Sequence, residues 1–191
     1  MNAMTESGVM KHRLTVDEYY RMAEVGLLAP DARVELIDGE IVDMPPIGSR
    51  HCGTVELLQF RFTKAFGDAA WVSGPRTLVL GHYDAPEPDL MLLRPRVDFY
   101  RRSHPTPSEI LLLVEVSDST WSYDREVKAP LYARHGVSNL WIVNVRKKEL
   151  HCFSDPRLGD FTEVVTFTDT SSIPVKSLAD ASVDLTDLFA D

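Results

Sequence analysis

The feature of this sequence that most limits its fold is a pair of continuous apolar runs joined by one helical stretch. The runs are "ILLLVEVS", residues 110–117, and "NLWIVNV", residues 139–145, and a helical pattern covers Tyr123–His135 between them. Strands that are apolar throughout are buried on both faces, and two such strands joined by a helix form a right-handed crossover. The sequence therefore predicts that the two runs are neighbouring parallel strands in a sheet covered by helices.

Capping and turn signals predict a helix and a β-hairpin ahead of these strands. Thr15 and Glu18 fit a capping box that opens a helix ending near Val25. Asp38-Gly39 stands between two alternating runs, which is a strong hairpin signal. Apolar residues then recur at helical spacing, so a second helix is expected over about Ser49–Phe66.

Several shorter segments have the composition of strands, and a short acidic helix or turn is expected near Val183–Phe189. The strand-like segments are "AWVSG", "TLVLG", "PDLMLLR", "LHCFS" and "FTEVVTF". Together these elements predict an α/β fold with a mixed sheet flanked by helices, an N-terminal helix and a hairpin. Residues 1–12 are interpreted as a loose leader and residues 13–191 as a single domain.

Composition narrows the function classes and the cellular setting. The 191 residues carry a net charge of −9, which argues against a protein that coats nucleic acid by bulk electrostatics. An enzyme that touches nucleic acid locally remains possible, because metal ions mask acidic sites. No apolar run predicts a membrane span or a secretory signal. Cys52 and Cys152 form no metal-type spacing, so a reduced cytoplasmic setting without a disulfide framework is expected.

One short basic cluster stands out against the acidic background. It lies in the segment "RPRVDFYRRSH" and consists of Arg94, Arg96, Arg101, Arg102 and His104. Short charge clusters are usually solvated surface, and this one is interpreted in that way.

Two carboxylates occur at the ends of predicted strands. Asp89 precedes an apolar strand, and Glu115 lies inside the run of residues 110–117. An unpaired buried carboxylate is costly, so Glu115 needs a partner. If the strands are neighbours, both acids point into one cleft, where oxygen-only ligands suit Mg²⁺ or Mn²⁺ better than zinc. The alternative is that each acid pairs with an arginine or caps a loop.

Lys128 is the third residue of interest, on the predicted helix that follows Glu115. Asp124, Lys128 and Tyr132 fall at helical spacing, on a face that turns partly inward. A lysine stem is long enough to reach from this face toward the end of the Glu115 strand. The alternative is a surface ion pair between Asp124 and Lys128, and Tyr132 is interpreted as a core residue.

Four segments together resemble the Uma-two family of "putative restriction endonucleases", within the PD-(D/E)XK nuclease superfamily. They are "RVELIDGEIVDM", the helix opened by His51, "PEPDLMLL", and "LLLVEVSDSTWSYDREVKAPLYARHGVSNLWIVNV". The similarity covers about residues 13–155, and its last segment is the most specific. It implies a restriction-endonuclease-like core and a Mg²⁺-dependent phosphodiesterase site.

The resemblance also assigns roles to individual positions. Asp89 matches the Asp of the Pro-Asp motif, and Glu115 matches the acid of the second motif. A strict (D/E)XK motif places lysine at position 117, where this chain has Ser117. The resemblance implies that Lys128 has taken over the lysine role. Asp89, Glu115 and the carbonyl of Val116 would then hold Mg²⁺, with Mn²⁺ as a substitute.

Three further positions match the family with less definite roles. Glu35 matches an early acid that assists at such sites directly or through water, whereas Glu40 and His51 match recurring positions without an assigned role. The favoured hypothesis is an endonuclease that acts on DNA, as a homodimer by analogy with nucleases that cut both strands. The alternatives are a catalytically inactive interaction or regulatory module on the same fold, and an enzyme acting on RNA or a small phosphodiester.

Overall fold

The computed structural model describes residues 11–178 and 181–190. Nearly all of the predicted leader, residues 1–12, lies outside these ranges. The described residues divide into two compact units, one of residues 11–46 and 77–87 and the other of residues 47–76 and 88–190. Each unit is built around its own apolar core.

The first unit contains the predicted N-terminal helix and hairpin. Helix α1 covers Val16–Glu24, and the predicted capping box of Thr15 and Glu18 is present. Strands β1 (Val34–Ile37) and β2 (Glu40–Asp43) pair antiparallel. The turn needs Gly39, because its φ is +76° and an added Cβ would lie 2.6 Å from the Cβ of Arg13.

The predicted strand at "TLVLG" is absent from this unit. The amide of Leu78 donates to the carbonyl of Pro86, and the amide of Leu80 donates to the carbonyl of Asp84. The segment is therefore paired with the turn that follows it and joins no sheet ladder. The core of the unit is formed by Val16, Tyr19, Val34, Leu36 and Ala85.

The second unit contains a six-stranded mixed sheet in the order β3-β4-β5-β6-β7-β8. Its strands are β3 (Trp71–Ser73), β4 (Leu90–Leu93), β5 (Ile110–Ser117), β6 (Asn139–Asn144), β7 (Glu149–Arg157) and β8 (Asp160–Phe167). The neighbours β5 and β6 are parallel, as the two apolar runs predict, and the other pairs are antiparallel. A mixed sheet flanked by helices confirms the predicted fold class.

Helix α2 (Ser49–Phe66) has the bounds that the apolar spacing predicts. It packs against β3 and β5. Its buried face carries Leu58 and Phe62, both fully buried, and the ring of Phe62 lies 5.7 Å from that of Trp141 on β6. Gly67 ends the helix in the left-handed region, with φ of +47°.

The helical stretch after β5 is not one regular helix. It starts at Trp121, two residues before the predicted start, and runs through α3 (Trp121–Tyr123), a π-helical segment (Asp124–Lys128) and α4 (Ala129–Arg134). Pro130 has no amide hydrogen to bind the carbonyl four residues earlier, and its ring crowds that carbonyl. The amide of Ala129 instead donates to Asp124, five residues back, which widens the turn.

The C-terminal part adds a small antiparallel pair, β9 (Ile173–Pro174) and β10 (Ser182–Val183). The expected short helix or turn near Val183–Phe189 is a turn, because Val183 belongs to β10 and the residues after it form only local turns. Both cysteines are free thiols. Within residues 11–178 and 181–190, no helix is both long and apolar enough to cross a membrane.

Two phenylalanines on α2 provide a matched test of the core of the second unit. Phe62 is fully buried, whereas Phe60 is 64% exposed. Phe62→Ala should lower the free energy of unfolding by about 3–5 kcal/mol. Phe60→Ala should change it by less than about 0.5 kcal/mol. Urea unfolding followed by circular dichroism measures both, and equal effects would contradict the assigned packing.

Candidate functional site

The two acids of interest lie at the same end of adjacent strands. Strands β4 and β5 are antiparallel with Leu90 opposite Val114. Asp89 immediately precedes β4, so it lies beside the end of β5 that carries Glu115. The two acids therefore come together at this end of the sheet because their strands are neighbours.

Asp89 is held by one backbone donor and one imidazole. Its Oδ2 accepts a hydrogen bond from the amide of Val116 at 2.8 Å and lies 3.1 Å from Nε2 of His51, in the first turn of α2. The side chains of Asp89 and His51 are each 16% exposed. Asp89 is thus fixed in orientation yet open to solvent, which suits a group that meets a ligand.

Glu115 is the centre of a fully buried polar cluster. Its Oε1 accepts hydrogen bonds from Nζ of Lys128 at 3.2 Å and from the hydroxyl of Tyr132 at 2.6 Å. All three residues are at most 2% exposed. Buried charges are tolerated when they are paired and hydrogen-bonded, and Lys128 and Tyr132 supply both conditions.

The π-helical segment determines where Lys128 points. Lys128 is the last residue of this segment, immediately before α4. The extra residue in the turn, which follows from Pro130, rotates the residues before it relative to those after it. In this geometry Lys128 and Tyr132, four residues apart, both reach the same oxygen of Glu115.

Ser117 stands where a strict (D/E)XK motif has lysine, and its side chain has a different partner. The Ser117 hydroxyl donates to Oδ2 of Asp124 at 2.5 Å, and the Thr120 hydroxyl donates to the same oxygen at 2.6 Å. Asp124 is 3% exposed. This acid therefore ties the end of β5 to the start of the π-helical segment that carries Lys128.

Asp124 has a raised pKa with an identifiable cause. Burial raises the pKa of this carboxyl, while the positive charge of Lys128 and the hydrogen bonds from Ser117 and Thr120 oppose the rise. The negative charge of Asp89 adds a smaller upward shift. Asp124 is therefore a buried acid whose environment favours its protonated form.

The structure corrects one interpretation drawn from the sequence and confirms another. Asp124 and Lys128 do not form a surface pair, because both are buried. Tyr132 is a core residue, but its hydroxyl also donates a hydrogen bond to Glu115. Its position four residues after Lys128 was a usable signal, since such residues share a helix face.

The second unit contains three of the predicted catalytic residues, Asp89, Glu115 and Lys128, and brings them together at the end of β5. Glu35 belongs to the other compact unit, where its Oε1 accepts a hydrogen bond from the amide of Glu87 at 3.1 Å. Glu40 is exposed on β2, with Lys11 3.9 Å away. His51, which had no assigned role, contacts Asp89.

The basic cluster of residues 94–104 is largely paired within its own loop. Arg96 binds Asp98 at 2.8 Å and Glu109 at 3.2 Å, and its guanidinium lies over the ring of Tyr100. Arg94 donates to the carbonyl of Ser108. These contacts agree with the interpretation of this cluster as surface.

The donor set at the end of β5 fits a hard divalent cation. It consists of the Asp89 and Glu115 carboxylates with the neighbouring carbonyl of Val116, which are oxygen ligands of the kind that Mg²⁺ prefers. Across residues 11–178 and 181–190, Oδ1 of Asp89 accepts no hydrogen bond, so this oxygen is available to a cation. The same described residues contain no cluster of three or more His, Cys, Asp or Glu side chains of metal-site type.

Comparisons with known proteins identify a family and a shared fold. The model of the Uma2 family, described as "Putative restriction endonuclease", matches residues 16–186. No curated protein matches the sequence. A crystal structure from Anabaena variabilis ATCC 29413, described as "a putative nuclease belonging to DUF820", has a TM-score of 0.70 at 16% identity, covering 93% of this chain and 98% of that chain. The first finding confirms the family resemblance, and the second shows a shared fold.

The raised pKa of Asp124 predicts a characteristic pH dependence of stability. A carboxyl with a raised pKa in the folded protein stabilises it below the unfolded pKa, and this contribution is lost as pH rises through the folded pKa. The free energy of unfolding of the wild type minus that of Asp124→Asn should therefore fall from about pH 4 upward. Urea unfolding with a chelator present measures the difference.

Asp98 provides a control of opposite sign. The hydrogen bond from the Arg96 guanidinium lowers the pKa of the Asp98 carboxyl. The free energy of unfolding of the wild type minus that of Asp98→Asn should therefore rise with pH as the Asp98 carboxyl ionises. A flat or rising difference for Asp124→Asn would contradict the assigned environment of Asp124.

Proposed function

The chain belongs to the Uma2 family, whose description is "Putative restriction endonuclease", and from this premise we propose that it is a Mg²⁺-dependent endonuclease that hydrolyses phosphodiester bonds in DNA. Family membership supports a nuclease and, with it, binding to nucleic acid. Beyond this, we propose that the substrate is DNA, that cleavage depends on Mg²⁺, and that individual residues have the roles given below.

The observation that carries the proposal is the arrangement of Asp89, Glu115 and Lys128. Asp89 immediately precedes β4 beside the Glu115 end of β5, and Nζ of Lys128 lies 3.2 Å from Oε1 of Glu115. Carboxylates can hold a divalent cation, and a lysine ammonium beside them can stabilise the negative charge that develops during phosphodiester hydrolysis. The lysine comes from a helix in this chain, and it nevertheless reaches the acid that the strand motif supplies.

Asp89, Glu115 and the carbonyl of Val116 would hold the Mg²⁺ ion, for which Mn²⁺ can substitute. When bound, such an ion supplies Lewis-acid chemistry: it lowers the pKa of a water molecule and polarises the phosphate. Glu35 is proposed to assist, directly or through water. The Lys128 ammonium would orient the attacking water and stabilise negative charge on the phosphoryl oxygens.

Three neighbouring groups would keep these residues in place. The amide of Val116 and the imidazole of His51 fix the Asp89 carboxylate, and the hydroxyl of Tyr132 fixes that of Glu115. Positioning matters because reacting groups that are misplaced by about 1 Å can slow a reaction about 100-fold. A homodimer with one site for each DNA strand and a cytoplasmic location complete the proposal.

One observation favours a second candidate, a nuclease fold that binds partners without cutting. The Glu115 carboxylate is already paired within the protein, since its Oε1 accepts hydrogen bonds from both Lys128 and Tyr132. A paired, buried carboxylate is stable without a metal. This candidate predicts no measurable affinity for Mg²⁺ or Mn²⁺, and no difference between the wild type and Asp89→Ala in titration calorimetry.

Cleavage assays with matched variants test the proposed activity. The wild type should cleave plasmid DNA in Mg²⁺ or Mn²⁺ and lose this activity in a chelator. Asp89→Asn and Lys128→Met should each reduce the rate at least about 100-fold, because each removes a charge that stabilises the transition state. Arg125→Met is the control, since Arg125 is an exposed cation in the same π-helical segment.

Two results would count against the proposal. One is a folded wild type that binds neither ion and cleaves neither DNA nor RNA. The other is an Asp89→Asn variant that cleaves at the wild-type rate. Circular dichroism monitors folding of the Lys128 variant, whose substitution breaks a buried pair at a cost of about 3–5 kcal/mol. Asp89 is partly exposed, so its substitution tests the site with less effect on folding.

A further inference from the structure

The second unit contains a groove that none of the proposed catalytic residues line. Its volume is about 520 Å³, within the range of ordinary ligand sites. Three cationic side chains line it, and its apolar part is formed by residues from α2, the end of β6 and the C-terminal turn. The cations are Arg50, Arg146 and Lys148, and the apolar residues include Leu57, Val145 and Phe189.

We propose that this groove binds the phosphodiester backbone of the nucleic acid beside the scissile phosphate. The inference rests on the proposed nuclease function and adds the surface that holds the substrate. The three cations are all exposed at the groove. In a protein with a net charge of −9, such a local concentration of positive charge is a specific feature and not a property of the whole surface.

Both sides of the groove continue along the chain into the candidate site. On one side, Arg50 precedes His51, which contacts Asp89. On the other side, β5 and β6 are parallel with Ser117 opposite Asn144, so the turn after β6 emerges at the Glu115 end of the sheet. Arg146 and Lys148 lie in that turn, and a backbone bound there would lead to the paired carboxylates.

The turn that carries two of the cations is held in place by its own hydrogen bond. Oδ1 of Asn144 accepts from the amide of Lys147 at 2.9 Å, and Lys148 adopts a left-handed conformation with φ of +56°. A preorganised turn loses less conformational entropy on binding than a mobile one. The cations are therefore presented by a defined loop.

Two acids near the groove already form ion pairs with arginines. Asp118 accepts a hydrogen bond from Nε of Arg146 at 2.8 Å, and Asp187, which lines the groove, is paired with Arg61. A phosphate would compete with Asp118 for Arg146, whose side chain is 64% exposed. Arg50 makes no ion pair among the described residues, so its charge is available to the backbone.

Equilibrium binding without metal separates this inference from catalysis. The probe is a short fluorescein-labelled DNA duplex, titrated with protein in a chelator and followed by fluorescence anisotropy at several salt concentrations. The triple variant Arg50→Gln, Arg146→Gln, Lys148→Gln should bind at least about tenfold more weakly. Its plot of log affinity against log salt should be shallower by about 0.9 for each phosphate that the variant no longer neutralises.

A second triple variant controls for the loss of charge. Arg101→Gln, Arg102→Gln, Arg125→Gln removes the same charge from exposed positions outside the groove, and it should bind like the wild type. Equal weakening by the two triple variants would overturn the inference, because binding would then follow bulk charge. A wild type that binds no duplex and no single-stranded RNA would also overturn it, as would displacement of the duplex by an equimolar mononucleotide.

Failure of the groove and failure of the proposed function give different results. If the wild type binds DNA through the groove but does not cleave it, the proposed role of the groove is supported and the catalytic proposal is contradicted. If the groove variant cleaves with unchanged KM and kcat, the catalytic proposal is supported and the proposed role of the groove is contradicted. Groove-dependent binding of RNA alone would support the groove and replace DNA with RNA as the proposed substrate.

Discussion

The buried carboxylate of Glu115 is the constraint on which the rest of the site depends. Removing a carboxylate and an ammonium from water costs several kcal/mol for each ion. Here the carboxylate is compensated by Lys128 and by the Tyr132 hydroxyl, both on the helical stretch that follows β5. Replacement of a buried ion pair by well-packed apolar residues is often neutral or stabilising. Stability alone therefore does not explain why this strand carries an acid.

The departure from the strict (D/E)XK motif has a physical counterpart in the helix. Ser117 occupies the usual lysine position and binds Asp124 at the start of the π-helical segment. Pro130 prevents a regular helix, and the resulting wide turn directs Lys128 to Glu115. A serine, an aspartate and a proline thus act together to deliver the lysine from a different element. We infer that Asp124 and Pro130 help to position the lysine, although neither belongs to the motif.

The sequence predicts the framework of the second unit well because burial has simple periodic signatures. The apolar runs of β5 and β6 and the bounds of α2 follow from such patterns. The strand expected at "TLVLG" was wrong because composition does not show whether a neighbouring strand is available to pair with it. The local turn at Asp84 and Pro86 takes the hydrogen bonds that a sheet would need.

The sequence predicts only part of the candidate site, because strand order follows from sequence patterns and individual side-chain contacts do not. The pairing of β4 with β5 brings Asp89 beside Glu115, and this follows from strand order. The hydrogen bond from the Tyr132 hydroxyl to Glu115 was not predicted, because an aromatic residue on an apolar helix face is usually a core residue. The ring of Tyr132 is indeed buried in the core. The burial of Asp124 depends on the π-helical turn, which regular helical spacing does not describe. The role of Glu35 stays a prediction.

We propose that the Glu115–Lys128 pair is present for catalysis and not for stability. The double variant Glu115→Gln, Lys128→Met tests it most directly, because it removes both charges together and leaves an acceptor for the Tyr132 hydroxyl. We predict a free energy of unfolding equal to or above that of the wild type, and Mg²⁺-dependent cleavage reduced at least about 100-fold. A double variant that cleaves at the wild-type rate, or that unfolds while each single variant stays folded, would contradict the claim.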